Sequence, residues 1–177
     1  MTVYKKGFLL FFLCSCLLAP VFSYAQLLPD NATLNVQSVQ RWMQSNRDFA
    51  QAVQALDELH KTDSDLKKFE ALPATEQDQK ITAFLQQKQL LEPTNKIAAQ
   101  HGWKSLGEYV RLSTKLGNAI AAYFFTEESA RLTEEQKKAL RVKTDPAILN
   151  VPQSDILFVK NNEKLLKTYI QAYAKGK

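Results

Sequence analysis

The sequence predicts an all-α fold, a compact bundle of five to seven short-to-medium helices with no sheet. Apolar residues recur at spacings of three and four along most of the chain, which is the period of a helix with one buried face. Alternating β-branched segments joined by Asn-Gly or Asp-Gly turns, the pattern of β-hairpins, do not appear. Only five of the 177 residues are glycine.

The N-terminus has the pattern of a secretory signal peptide. Lys5 and Lys6 form a basic start, residues 7–22 are apolar, and the segment Ser-Tyr-Ala ending at Ala25 is a small-x-small cleavage site. Nothing after this segment approaches the roughly 20 apolar residues of a spanning helix. We therefore expect an exported, periplasmic protein that begins at Gln26.

Two other destinations stay open for the leader. Leu13 stands three residues before Cys16, as in a bacterial lipobox, so a lipid anchor at Cys16 is one alternative. Secretion to the medium is the other. Both cysteines, Cys14 and Cys16, lie before Ala25, and cleavage there would leave no cysteine for disulfides, thiol catalysis or a zinc site.

The charge of the chain predicts no nucleic-acid partner. Loss of the leader would leave 21 basic and 18 acidic residues, a net charge of about +3, and both signs are mixed along the chain. Nucleic-acid binders instead cluster their basic residues on one face or tail. We expect residues 26–35 to be an extended leader and residues 36–177 to form a single helical domain.

The first predicted helix covers Val36–Gln44 and ends at a break at Ser45-Asn46. A second helix continues to about His60, and a short third segment ends at Pro73. Apolar residues of the second helix recur at helical spacing and form its inward stripe: Phe49, Val53, Leu56 and Leu59.

The middle of the chain predicts three further helices. Thr75 and Asp78 resemble a capping box that starts a helix, which Pro93 interrupts before a short segment from Thr94 to His101. The most apolar helix of the chain then runs from Leu106 to about Phe125.

Two helices are predicted near the C-terminus. Thr133 and Gln136 form a capping box at the start of the first. Residues 144–152 form a linker with two prolines, and a last amphipathic helix runs from Asp155 to about Ala174.

The segment QHGWKSLGEYV at residues 100–110 predicts a structural corner between two helices. Gly102 fits the left-handed position after a helix end, and Trp103 follows it where a Schellman cap packs back on the helix. Ser105 and Glu108 then form a capping box that starts the next helix. A ligand or partner site is the alternative for this segment.

The helix after this corner carries a face of small residues at a spacing of four. Such a face favours close packing with a neighbouring helix. The alternative is a groove for an apolar small molecule, because pockets between bundle helices are common binding sites. Six residues would line this groove: Tyr109, Ser113, Gly117, Ala121, Tyr123 and Phe124.

Catalytic and metal-binding chemistry has little support in the sequence. Asp57 and His60 have the i, i+3 spacing of half a carboxylate-bridged metal site, but no second pair accompanies them. No nucleophile motif, phosphate-binding glycine loop or zinc-binding helix occurs. We therefore expect no catalytic residues, no cofactor and no metal.

The segment ARLTEEQKKAL contains L-T-x-x-Q at Leu132, Thr133 and Gln136, which resembles the signature of the Spy/CpxP-type periplasmic chaperones. This resemblance implies an exported, all-helical protein that holds unfolded clients. Across nearly the whole chain, the order of motifs looks like small exported helical proteins of proteobacteria without assigned function. The expected function is binding of a protein or an apolar small molecule, with ATP-independent chaperoning as the alternative.

Overall fold

The computed structural model describes residues 34–59, 62, 65, 68–69 and 72–175. The predicted signal peptide, Cys16 and the predicted extended leader up to residue 33 lie outside these residues. His60 of the Asp57–His60 pair lies outside them as well.

The prediction of an all-α fold is confirmed. The described residues form eight α-helices and a short 3-10 turn at Asp57–Leu59, and none of them is in a strand. No helix among them is both long and apolar enough to cross a bilayer. The helices are α1 (Val36–Leu56), α2 (Ala74–Gln87), α3 (Leu91–Gln100), α4 (Leu106–Ser129), α5 (Glu134–Lys143), α6 (Pro146–Leu149), α7 (Gln153–Asn161) and α8 (Glu163–Lys175).

Helix α4 lies at the centre of the bundle. It packs against α1, α2, α3, α6, α7 and α8, and residues on every side of it are buried. A helix that is buried on most of its surface is a core helix, which agrees with its being the most apolar helix of the sequence. Five of its aliphatic residues are at most 2 % exposed: Leu112, Leu116, Ala119, Ile120 and Ala122.

The predicted break at Ser45-Asn46 is wrong, because α1 continues without interruption to Leu56. The Ser45 hydroxyl donates to the carbonyls of Arg41 and Trp42 at 2.9 and 3.1 Å, a bond that serine can make inside a helix. Ser45 and Asn46 are both buried. The side chain of Ser45 contacts Trp103, between α3 and α4, and that of Asn46 contacts α4 and α8.

Pro93 does not interrupt a helix, contrary to the prediction. Helix α3 begins at Leu91, so Pro93 lies in its first turn, where a backbone N–H has no partner within the helix. The chain turns just before, at Gln89, whose φ of +58° is left-handed.

The predicted capping box at Thr75 and Asp78 is also absent. Helix α2 starts after Pro73 without a side-chain cap. The Asp78 carboxylate instead accepts two hydrogen bonds from Arg111 of α4, at 2.6 and 3.0 Å. This bidentate pair ties α2 to the central helix.

The C-terminal region is divided more finely than predicted. The linker contains the single turn α6, which Asp145 caps through the Ala147 N–H at 2.8 Å. The last helix is split into α7 and α8 at Asn162, whose side-chain amide donates to the Phe158 carbonyl at 2.8 Å. Such a bond competes with the regular helix ladder.

Candidate functional site

The corner at residues 100–110 is built from local hydrogen bonds. The Trp103 N–H donates to the Ala98 carbonyl at 2.8 Å and the Gly102 N–H to the Ala99 carbonyl at 3.2 Å. These two bonds define a Schellman motif, and Gly102 has the left-handed φ of +72° that the motif requires.

The start of α4 differs from a full capping box. The Ser105 hydroxyl accepts from the Glu108 N–H at 3.1 Å, as the motif requires. The Glu108 carboxylate, however, accepts from the Lys104 N–H at 2.7 Å, one residue before the N-cap. Both side chains therefore cover backbone groups at the start of α4.

Arg41 of α1 contacts the corner at three points. Its guanidinium donates to the Gly102 carbonyl at 2.7 Å and lies 3.9 Å from the centre of the Trp103 ring. It also lies 3.7 Å from the Glu108 carboxylate. One side chain of α1 thus contacts a carboxylate, an aromatic ring and a backbone carbonyl of the corner.

The next two turns of α1 contact the same corner. The Trp103 indole N–H donates to the Ser45 hydroxyl at 3.0 Å in a buried position. The His101 ring lies 2.7 Å from the Asp48 carboxylate, at a more exposed position. The side chains of His101 and Trp103 are therefore both engaged in holding the corner on α1.

Beneath the corner lies a buried cluster of aromatic rings around one amide, here called the Asn46 cluster. The Tyr109 hydroxyl donates to the Asn46 side-chain oxygen, and the Asn46 amide donates to the Tyr169 hydroxyl at 3.0 Å. The ring centres of Phe49 and Tyr109 are 4.6 Å apart, and those of Trp42 and Tyr169 are 4.9 Å apart.

The electrostatics of the Asn46 cluster favour neutral hydroxyl groups. Burial and the neighbouring Tyr169 raise the pKa of Tyr109 far above its ordinary value. A protonated hydroxyl is what the hydrogen bond from Tyr109 to Asn46 needs, so the direction of this pKa shift agrees with the hydrogen bond. The sequence pattern around Asn46 indicated a helix break, so this cluster was not predicted.

The residues of the predicted apolar groove are spread over about four turns of α4. Tyr109 belongs to the Asn46 cluster, whereas Tyr123 and Phe124 lie about 20 Å further along α4. Between them, the small residues Ser113, Gly117 and Ala121 are buried within the bundle. A molecule bound along this face would have to displace side chains of neighbouring helices.

The far end of α4 is tied to α8. The Tyr123 hydroxyl donates to the Glu163 carboxylate at 2.8 Å, and this bond raises the pKa of Tyr123 to about 12. The rings of Phe124 and Tyr173 stack at 5.0 Å. This end of the bundle is therefore also held by specific contacts.

Replacing Gly107 with alanine is expected to destabilise the fold by about 1 kcal/mol. A Cβ at this position would lie 1.8 Å from Asp78 Oδ1, so the carboxylate would have to leave Arg111. The lost charged hydrogen bonds outweigh the better helix propensity of alanine, because Asp78 and Arg111 are only partly exposed. Urea unfolding measures the change.

The Asp78→Ala background provides the control for this prediction. Without the carboxylate, Gly107→Ala should be neutral or stabilising, since only helix propensity then differs. A loss of the same size in both backgrounds would show that the Asp78 contact is not the cause.

Exposed aliphatic side chains are concentrated in one segment of the described chain. Val142 is 83 % exposed, Leu149 38 % and Leu157 44 %, and the remaining large apolar residue of this kind is Val36. We call Val142, Leu149 and Leu157 the exposed apolar stretch. It spans the end of α5, α6 and the first half of α7.

No group of three or more metal-ligating side chains occurs among the residues that the structure describes. Comparisons with protein-family models, with curated proteins and with solved structures found no match. The fold therefore defines the described part of this chain as an α-helical bundle with a central apolar helix.

Proposed function

We propose that this chain is an exported, periplasmic binding protein that binds apolar segments of other polypeptides through the exposed apolar stretch. The observation that carries the proposal is the concentration of exposed aliphatic side chains in residues 142–157. Contiguous exposed apolar patches commonly mark interaction sites, and these three side chains lie within 16 residues of one another along the chain.

The exposure of helix α5 also favours a binding partner at this position. None of its ten residues is buried, and Val142 points away from the bundle. A helix this short is marginal in water by itself. It is stabilised by the Thr133–Gln136 capping box and by the Glu134–Lys137 pair at 2.6 Å.

A surface site is favoured over an internal pocket for an apolar small molecule. Ser113 and Ala121 are only 4 % and 7 % exposed, so the small-residue face is occupied by protein. The exposed apolar stretch, in contrast, needs no rearrangement before a partner binds. This difference favours a polypeptide over a buried ligand.

Holding of unfolded clients is the form of binding that the resemblance to Spy/CpxP-type proteins implies. The segment that resembles them, Leu132–Gln136, lies at the start of α5, directly before the exposed apolar stretch. Suppression of the aggregation of reduced insulin at equimolar ratio tests this form of the proposal. Binding of an unfolded probe without suppression would limit the function to peptide recognition.

The triple variant Val142→Ser, Leu149→Ser, Leu157→Ser is expected to bind an unfolded polypeptide at least about tenfold more weakly. Full burial of one such side chain contributes about 1.5–3 kcal/mol, and these three are already partly covered. The probe is fluorescently labelled, reduced and carboxymethylated α-lactalbumin, and fluorescence anisotropy gives its affinity.

Val36→Ser is the matched control. Val36 is 44 % exposed, like Leu157, but lies at the start of α1, outside the stretch. It should bind the probe as the unchanged protein does. Equal affinities of the triple variant and the unchanged protein would refute the proposed surface.

Export is tested separately. The protein recovered from the periplasm of an expressing bacterium should begin at Gln26. A protein that keeps Cys16 and carries the mass of attached lipid would support the anchored alternative, and a protein that remains in the cytoplasm and begins at Met1 would contradict export.

A further inference from the structure

The outward side of α8 is basic, and one further exposed lysine lies at the end of α7. Lys164, Lys167 and Lys175 are exposed and lie on one face of α8, because their spacing matches helical turns. Lys160, also exposed, lies in the last turn of α7. We call these four residues the basic face.

Few acidic groups among the described residues neutralise the positive charge of the basic face. Among the described residues, none of its four ammonium groups forms an ion pair, whereas Lys137 pairs with Glu134 on α5. Glu163 is the single acidic residue between residues 160 and 175, and its carboxylate accepts the hydroxyl of Tyr123.

The packing of α8 fixes the direction of the basic face. Leu166 on the opposite side of the helix is fully buried. Tyr169 bonds to the buried Asn46, and Tyr173 stacks on Phe124. These contacts prevent α8 from rotating, so its lysines are held toward solvent.

We propose that the basic face binds the surface of an anionic lipid bilayer. Lysine carries a compact charge on a flexible side chain, which suits a mobile layer of phosphate headgroups. Each lysine near such a surface contributes a similar amount to the free energy of binding. The basic face contains no arginine. Protein interfaces are instead enriched in arginine and depleted in lysine, so an acidic polypeptide is the less suitable occupant.

This proposal does not depend on the proposed function. The basic face and the exposed apolar stretch share no residue, and a lipid surface needs no unfolded client. Peripheral binding of this kind would hold the protein beside a membrane through charge alone.

Flotation with lipid vesicles tests the proposal. The unchanged protein should bind vesicles of phosphatidylcholine with about 30 mol % phosphatidylglycerol, but not vesicles of pure phosphatidylcholine, and binding should weaken with added salt. The variant Lys160→Gln, Lys164→Gln, Lys167→Gln should bind about 100-fold more weakly, since each lysine contributes about fivefold.

The triple variant Lys80→Gln, Lys96→Gln, Lys138→Gln removes the same charge from exposed positions on α2, α3 and α5. It should remain within about threefold of the unchanged protein, because distant exposed charges are screened. Circular dichroism verifies that both variants are folded.

Three results would overturn the proposal. Equal losses in both triple variants would indicate attraction by net charge alone. Equal binding to both kinds of vesicle, or to neither, would exclude recognition of anionic lipid. Capture by immobilised polyglutamate that depends on the basic face, without vesicle binding, would assign this face to an acidic polypeptide instead.

Discussion

Replacing Asn46 with alanine is expected to lower the free energy of unfolding by about 3 kcal/mol. The change leaves the hydroxyl of Tyr109, a residue that is 1 % exposed, without its acceptor and removes the donor to Tyr169. It also leaves a small cavity between α1, α4 and α8. Urea unfolding followed by circular dichroism measures the loss.

Asn95→Ala is the surface control for this experiment. Asn95 is exposed on α3, and its replacement should change stability by less than about 0.5 kcal/mol. The double variant Asn46→Ala, Tyr109→Phe should lose less than the sum of its single changes, because the orphaned hydroxyl is then absent. Strict additivity would show that the hydrogen bond is not the source of the loss.

Replacing Trp103 with alanine is expected to cost about 3–5 kcal/mol, the range for a large aromatic residue removed from a core. The ring is 4 % exposed and meets the Tyr109 ring edge-on at 5.6 Å. Its indole N–H donates to Ser45, and its face carries the Arg41 guanidinium. Thermal and urea unfolding measure this change.

His101→Gln at the same corner separates a structural role from a binding role. Its bond to Asp48 is partly exposed, and such a pair contributes at most about 1 kcal/mol. We expect nearly unchanged stability and unchanged binding of the unfolded probe. A large loss of binding by His101→Gln at unchanged melting temperature would instead assign a site to the corner.

The features that were predicted well are local ones. The left-handed Gly102 and the N-cap at Ser105 depend on hydrogen bonds that span only a few residues. The Thr133–Gln136 capping box is of the same kind. Because the partners lie within one turn, the sequence pattern is sufficient to predict them.

The features that were missed involve polar side chains whose partners are distant in sequence. Asn46 bonds to residues 63 and 123 positions away, and Asp78 bonds to a residue 33 positions away. A local pattern assigns both residues to helix ends, where asparagine and aspartate are common. Neither pattern indicates a tertiary partner.

The candidate binding surfaces were not predicted for a related reason. Periodicity shows that a helix has an apolar side, but not which apolar residue stays uncovered. Val142 remains exposed because none of the described helices covers that side of α5, and Ala121 is buried because neighbouring helices pack around α4. Coverage is a property of the packed bundle.

Sequence patterns were sufficient to predict that the described residues are all-α, that α4 is the most apolar helix and that residues 100–110 turn the chain between two helices. Packing in the folded bundle determines that Ser45 and Asn46 lie inside a helix and that Gly107 leaves space for Asp78. It also determines which apolar and basic residues face outward. The difference lies in the distance along the chain over which each kind of interaction acts. Helix periodicity and capping act over a few residues, whereas burial and side-chain pairing depend on segments that meet only when the bundle is packed.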